Sequence, residues 1–531
     1  MNLTVIGTGP SSLASLRALV ESEHHITVLD VGKELDEPGK AIKRRMAASD
    51  PADWDDGVRS IASEYEFDGP GVNLRPQFRS LYPYAAEATE GDAQESTKLL
   101  QSWAQGGLLN VWGASTLPPR PADVRNWGIP WNRWDQALRA ITPMLGIAAG
   151  SSDNLDGIYP RYVHRPALRV SRQAANARAR MERSRERLNK DGIWFGDARL
   201  AVEPERCRYC GMCISGCPND AIFQGRAQLQ EWIESGRIRY LREHLVERLE
   251  SHPNRVIVSG VNTMTGESFR YESDRAFLGA GVLSDLRILG RSIAGLREAR
   301  IAFHPYFLAP VLFLDHASRV RTERTYSLAQ LFMAVVDPSL SPHNIHLQLS
   351  TYNPLVTARL KRLFSFLGRA SDVAARALEA RIGAIQGLFH STESPPIECA
   401  IDATNGPVRL RLKGYDLRCS AVYKKINKLL SRLRSRAGRL GFWPLPIMNY
   451  LGTPGEGQHI GSTFPMAPTL GREANSTNLL GEHPQLPRVH IVDGSVLPEL
   501  PSATITFTIM ANAYRITRDV LATDELPLSQ T

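Results

Sequence analysis

One short stretch at the amino end constrains this chain more than any other. Residues 3–6 are apolar and β-prone, and Gly7-Thr8-Gly9-Pro10-Ser11-Ser12 follows at once. Leu13, Leu16 and Leu19 then recur at helical spacing, and a second apolar run, Ile26-Thr27-Val28-Leu29, ends in Asp30. Strand, glycine turn, helix, strand and acid in that order predict a βαβ unit that binds a dinucleotide. Gly7 permits the tight turn, and Gly9 lets the backbone approach a pyrophosphate. The helix start offers unpaired N–H groups to the phosphates. Asp30 stands 21 residues after Gly9, where a carboxylate can accept from a ribose hydroxyl. Ser12 replaces the third glycine and is small enough to keep helix and strand close. A start at residue 3 is typical of FAD enzymes, while the motif alone leaves NAD open.

A second constraint lies at Cys207-x-x-Cys210-x-x-Cys213-x-x-x-Cys217-Pro218. This is ferredoxin spacing: thiolates two residues apart wrap a loop around one face of a cubane cluster. Gly211 and Gly216 allow the tight backbone, and Pro218 directs the chain away. Zinc fits less well, because tetrahedral sites generally join two knuckles across a longer spacer. Two readings stand, a 4Fe–4S cluster and a structural cysteine loop. In two-cluster ferredoxins the fourth cysteine serves the other cluster, and this chain has one run. The fourth ligand is therefore Cys217 folded back, a remote thiol such as Cys399 or Cys419, or a non-cysteine group. Four of the six cysteines lie within this run, which argues against a disulfide framework and for a reducing compartment.

With 531 residues, 43% of them hydrophobic and 22% charged, the chain is globular rather than disordered or collagenous. No apolar run approaches the roughly 20 residues a membrane span needs. Met1–Ile6 has no basic region of the kind that opens a signal peptide. The expectation is a cytoplasmic protein without a transmembrane segment. The formal net charge is +8, but residues 411–440 alone hold ten basic side chains against Asp416. The remainder is near neutral, so a nucleic-acid coat is not expected. Within that window Val422, Ile426, Leu429, Leu430, Leu433 and Ala437 predict an amphipathic helix over 421–437. Lys424, Lys425, Lys428, Arg432 and Arg436 fall largely on its other faces. Such a face either meets water, the commoner case, or docks an acidic redox partner or an anionic membrane surface. Runs at 345–349, 397–401 and 408–412 alternate as strands of an antiparallel sheet do. A further helical stretch is expected at about 356–382.

Near the carboxyl end stand Gly457-Gln458-His459-Ile460-Gly461-Ser462-Thr463-Phe464-Pro465-Met466 and Val489-His490-Ile491-Val492-Asp493-Gly494-Ser495-Val496-Leu497-Pro498. A proline-bounded loop and a long apolar helix over 499–511 follow. These segments resemble the glucose–methanol–choline (GMC) oxidoreductases, and within them the pyranose-oxidase-like branch. Gly106-Gly107-Leu108-Leu109-Asn110-Val111-Trp112-Gly113 resembles the family's second flavin loop. Asn126-Trp127-Gly128-Ile129-Pro130-Trp131 resembles its Trp-Pro-Ile segment, and Phe277-Leu278-Gly279-Ala280-Gly281-Val282-Leu283-Ser284 the turn that rejoins the nucleotide domain.

The resemblance implies an α/β (α+β) architecture: a Rossmann-type FAD-binding domain assembled from discontinuous segments, plus an antiparallel-sheet substrate domain. Residues 1–300 would be mainly FAD domain, with the cysteine loop at 205–222. Residues 301–450 would be mainly substrate domain, and 451–531 would return to the FAD domain. It implies flavin contacts from Gly106, Gly107, Asn110, Trp112, Gly113, Ala280, Gly281, Asp493, Val496 and Ala503. The second loop lacks the histidine that bonds covalently to flavin in pyranose oxidases, so FAD is expected to be non-covalent.

It further implies that His459 is the base that takes the alcohol proton, and imidazole chemistry suits that task near neutrality. The family's second catalytic residue, a histidine or asparagine, aligns with Thr504. A hydroxyl can make a hydrogen bond but cannot serve as a base at neutral pH. A helix beginning near Ala503 would aim its N-terminus at the flavin. The expected function is oxidation of a CH–OH group of a sugar, polyol or other small alcohol by hydride transfer to flavin N5. Loss of the second residue keeps open a redox-neutral lyase or isomerase, and the cysteines keep open an FAD/iron–sulfur electron carrier.

Overall fold

The computed structural model describes the chain except residues 56, 59–75, 86–91, 318, 321, 353–367, 369–370, 405, 446–448, 470–474 and 526–531. Its first strand, Asn2–Ile6, pairs in parallel with His25–Leu29 on one side and Arg275–Leu278 on the other. Arg239–Leu241 and Leu486–Ile491 extend this sheet outward in parallel, and Glu482–His483 adds an antiparallel edge. Val5, Val28, Phe277 and Ile491 are buried, as a parallel sheet covered by helices requires. The helix Pro10–Leu19 packs on the closing helix Ile505–Glu525, which also meets Trp131–Leu145. A three-stranded meander, His244–Ser251, Val256–Asn262 and Ser268–Ser273, packs beside the helix Val282–Ser292.

Gly7 holds φ at +91°, and a Cβ there would lie 2.9 Å from the Gly279 carbonyl. The turn after the first strand and the turn after Arg275–Leu278 are thus in backbone contact, which only glycine allows at that point.

Beside a two-stranded pair, Ile147–Ala148 with Leu200–Ala201, two further sheets of the described residues are antiparallel except for the parallel edge pair Arg409–Lys413 and Ala93–Glu95. One runs Phe442–Pro444, Tyr306–Phe313, Ile382–Leu388, Ile345–Ser350, Leu331–Val335, Ile193–Asp197, with Tyr450–Leu451 also paired to Tyr306–Phe313. The other runs Ile460–Gly461, Glu298–Phe303, Ile397–Asp402, Arg409–Lys413, Ala93–Glu95. The alternating runs at 345–349, 397–401 and 408–412 are therefore strands, but of two sheets rather than one. Period-2 alternation marks a strand with one wet face and says nothing about its neighbours.

The helix expected at 356–382 lies in part outside the described residues. Its described part ends at Glu379, and Ile382 opens a strand. The amphipathic helix is Ala421–Arg434, with the predicted stripe buried, and a short turn Ala437–Leu440 follows. The closing helix starts at Ile505 rather than Ala503. No helix among the described residues is long and apolar enough to cross a membrane.

Phe277 sits fully buried at the centre of the parallel sheet and stacks on His490 with ring centroids 5.3 Å apart. Phe277→Ala should cost about 3–5 kcal/mol through lost burial and the cavity left behind. A lowered urea midpoint with far-UV circular dichroism retained at zero denaturant is the expected result. An unchanged midpoint would contradict this core.

Candidate functional site

One cavity of about 690 Å³ runs from the glycine turn to His459. At one end the helix Pro10–Leu19 opens onto it. Gly9 is its N-cap, and no side chain caps it. Its first N–H groups are left for whatever enters the cavity. A Cβ on Gly9 would meet nothing nearer than 3.8 Å, so the approach is open. An uncapped helix start in an open cradle fits a dinucleotide phosphate.

Asp30 lines the same end. It accepts from the Thr8 hydroxyl and, at 3.3 Å, from Tyr240. Thr8 Oγ1 in turn accepts from Gly106 N–H at 2.9 Å, tying the second loop to the first. Burial pushes the Asp30 carboxyl up to about 7 despite those donors.

Gly7, Gly9, Asp30, Gly107, Trp112, Gly113, Ala280, Gly281 and Asp493 all line this cavity. Ser12, Gly106, Asn110, Val496 and Ala503 stand behind its wall. Ser12 Oγ donates toward the carbonyls of Ile6 and Gly279, and Asn110 Nδ2 donates to those of Gln105 and Gly107. Val496 and Ala503 are buried apolar packing. Sequence reasoning missed Asp285, fully buried in the first turn of Val282–Ser292. Burial and then the neighbouring Asp493 raise its carboxyl well above the usual range.

At the other end stands His459, half-buried and on the cavity wall. Desolvation depresses its imidazole to about 4, so it is neutral at pH 7. The strand Ile460–Gly461 pairs with Glu298–Phe303 in a register that sets Ile460 opposite Phe303. That register places His304 beside His459, with the two Nδ1 atoms 3.1 Å apart. His304 also escaped sequence reasoning, since nothing local distinguishes it.

Thr504 lines the cavity too, but its hydroxyl is engaged elsewhere. It donates to the Ser115 carbonyl at 2.9 Å and accepts from Leu117 N–H at 3.3 Å. Across from these, Gln348 and Gln386 stand opposite each other on neighbouring strands and both face the cavity. Tyr450 donates to the Glu456 carboxylate at 2.6 Å on the same wall.

The four thiols of the ferredoxin-spaced run surround a second, small cavity. Cys207, Cys210, Cys213 and Cys217 all line it, together with Leu168, Ile222, Tyr326 and Leu328. Cys399 lies buried in the strand Ile397–Asp402 and Cys419 is exposed, and neither lines this cavity. Among the described residues no three His, Cys, Asp or Glu side chains converge tightly enough for a single ion. A cubane spreads its ligands over four corners instead. Each sulfur is faced by a backbone N–H: Cys207 by Tyr209, Cys210 by Met212, Cys213 by Ser327, and Cys217 by Ala221 at 3.3 Å. Hydrogen bonds to sulfur are what thiolates at a cluster require. Without a cation, burial pushes the Cys210 thiol up to about 12. The four residues together fit a 4Fe–4S cluster.

The segment Cys217–Phe223 joins the two cavities. Its Ala221 N–H reaches the Cys217 sulfur, and its Phe223 carbonyl accepts from Trp112 Nε1 at 2.9 Å. Trp112 itself lines the larger cavity.

The basic 411–440 face is partly spent within the chain. Lys425 pairs with Glu393, Arg432 with Asp337, and Arg436 and Arg439 with Asp191 at 2.8 and 2.9 Å. Arg409, Arg411 and Lys413 project from the exposed side of their strand.

Comparison with known proteins bears on both cavities. Residues 200–223 match the family described as a 4Fe-4S binding domain. A ferredoxin from Rickettsia felis is 36% identical over 47 residues, 9% of this chain and 43% of that protein. The chain thus matches less than half the length of that relative. Over the whole fold, pyridoxine 4-oxidase from Mesorbium loti is similar with a TM-score of 0.58 at 16% identity, covering 98% of this chain and 99% of that one. An FAD-dependent oxidoreductase from Chaetomium thermophilum has a TM-score of 0.56 at 10% identity, again over 98% and 99%. The chain therefore has the fold of these flavoenzymes, a Rossmann-type domain joined to a second sheet domain, and carries a ferredoxin-like motif within it.

Proposed function

We propose that this chain is an FAD-dependent oxidoreductase of the GMC type that oxidises a CH–OH group of a small alcohol, His459 taking the hydroxyl proton. One observation carries the reading: a single cavity joins an uncapped helix start beside Asp30 to a neutral imidazole. The shared fold and the resemblance of 457–466 and 489–511 to GMC segments support it. The pyranose-oxidase-like branch of that resemblance suggests a sugar or polyol.

FAD would be held by the Gly7–Ser11 turn, Asp30, Gly107, Trp112, Ala280, Gly281 and Asp493. Asp30 would accept a hydrogen bond from the ribose. Bound FAD supplies the hydride acceptor, and a bound 4Fe–4S cluster supplies a one-electron carrier.

The chain's own residues do the rest. His459 is unprotonated at neutral pH and can accept the hydroxyl proton as the C–H bond weakens. Thr504 holds the 113–117 strap against the cavity rather than acting on the proton. Ile505 and Ile509 keep water out, which strengthens every polar contact inside. Gln348 and Gln386 offer donors and acceptors that orient a polyhydroxylic substrate.

Anaerobic mixing with a panel of sugars and alcohols tests the reading. Bleaching of the flavin by one of them is expected. Turnover without bleaching would favour a redox-neutral enzyme, and reduction only by another protein an electron carrier. His459→Ala should keep FAD bound and slow bleaching by about 10²–10⁴-fold. Wild-type bleaching should stay level from pH 8 to about 5. It should fall only as His459 protonates near its depressed value of about 4. A fall centred near 6.5 would contradict a desolvated base.

Acid precipitation should release the yellow colour into the supernatant, because no residue on the cavity wall is proposed to bond FAD covalently. Colour retained by the pellet would overturn that. Cys217→Ser should lose iron and acid-labile sulfide from anaerobically purified protein, whereas Cys399→Ser should keep both. The reverse pattern would make the remote thiol the fourth ligand.

A further inference from the structure

The larger cavity and the thiol cavity are separated by a wall one residue thick. Ala221 and Ile222 line the thiol cavity, Trp112 lines the larger one, and Phe223 stands between them and lines neither. The Trp112 ring meets the Phe223 ring edge-on, with centroids 6.5 Å apart. A Cβ on Gly106 would lie 2.7 Å from the Gln224 carbonyl, so the same segment also lies against the second loop.

Hydrogen bonds close both ends of this wall. Trp112 Nε1–H, a donor only, reaches the Phe223 carbonyl at 2.9 Å, and the Ala221 N–H donates to the Cys217 sulfur at 3.3 Å. Between those two bonds runs the continuous backbone of Ala221, Ile222 and Phe223. A group against the Trp112 face and a group held by Cys217 are thus linked through covalent bonds and two hydrogen bonds. On its other side the thiol cavity lies under the protein surface. Arg208 lines it and is exposed, and so is Arg206 nearby. The thiol cavity therefore stands between the larger cavity and the solvent.

We propose that Trp112 and the segment Cys217–Phe223 form an electron path from the larger cavity to the thiol cavity, with Trp112 as its entry. The proposal rests on the reading of the two cavities as sites for FAD and a 4Fe–4S cluster. Oxidation of one CH–OH group to C=O releases two electrons and two protons. A cluster takes one electron at a time, so the two electrons cross the wall singly. Two equivalents of an external metal-centred one-electron acceptor draw them off at the Arg206–Arg208 side, each gaining one electron. Both protons pass to solvent, one of them by way of His459.

Stopped-flow reoxidation tests the path without any alcohol. The full chain, purified without air and with flavin and iron counted, is photoreduced with deazaflavin and mixed with excess ferricyanide, a metal-centred one-electron acceptor. The iron–sulfur absorbance beyond the flavin bands should recover first. The flavin bands should recover in a later phase whose rate levels off as ferricyanide rises, because the electrons must first cross the wall. Trp112→Phe keeps an aromatic ring at the cavity and removes the bond to the Phe223 carbonyl. It should lower that plateau severalfold, with the iron–sulfur phase, the flavin and iron contents and both reduction potentials unchanged. Flavin bands that recover first, or at a rate proportional to ferricyanide throughout, would overturn the path. A Trp112→Phe plateau equal to wild type would overturn it too. The wild-type order and plateau need no variant, so they decide the matter even where Trp112→Phe loses its flavin. Iron absent from the counted sample would overturn the cluster reading and the path with it. A flavin that no alcohol bleaches would overturn the proposed activity alone, since light supplies the electrons here.

Discussion

Parallel pairing between strands far apart in sequence is the constraint on which this structure depends. Leu3–Ile6 pairs with Arg275–Leu278, and Ala276–Leu278 pairs with Val489–Ile491. A parallel pair cannot be closed by a tight hairpin, so each connection must leave the sheet and return. The excursion that ends at Arg275 carries the second loop and the cysteine run. The excursion that ends at Leu486 carries most of the antiparallel sheets and His459. Each return ends in a turn at the same edge of the sheet. Gly7, Gly281 and Asp493 meet there, at the strand ends where open α/β sheets take their ligands.

Desolvation governs the chemistry at both cavities. It raises the carboxyls of Asp30 and Asp285, raises the thiols of Cys207, Cys210 and Cys213, and lowers the imidazoles of His459 and His304. In each case the balance moves toward the neutral form because the charged form has lost its water. At Cys207–Cys217 a bound cation would reverse that balance and hold the thiolates, and four backbone N–H groups already face the sulfurs. At His459 neutrality is itself the useful state, since only an unprotonated imidazole can accept a proton.

Features whose chemistry is local were legible in the sequence. The glycine turn with Asp30, the cysteine spacing and the apolar stripe expected over 421–437 each lie within one short segment, and the stripe's helix ends at Arg434. The strand runs were legible as strands, but their division between two sheets was not, because alternation does not encode neighbours. His304 and Asp285 were invisible for a related reason. His304 meets His459 only through the register of Phe303 with Ile460, and Asp285 meets Asp493 only where two distant turns converge. Thr504 was found by resemblance, yet its bonds to Ser115 and Leu117 depend on a strap nearly four hundred residues earlier in the chain.

The segment Cys217–Phe223 links a cavity fit for a flavin to a cavity of four thiols fit for a 4Fe–4S cluster. The most direct measurement is the absorption spectrum of protein purified without air, with flavin and iron counted on the same sample. Flavin bands over a broad iron–sulfur absorbance are expected, with about one flavin and about four irons per chain. Full flavin with neither iron nor acid-labile sulfide would contradict the cluster, and iron without flavin would contradict the nucleotide cavity.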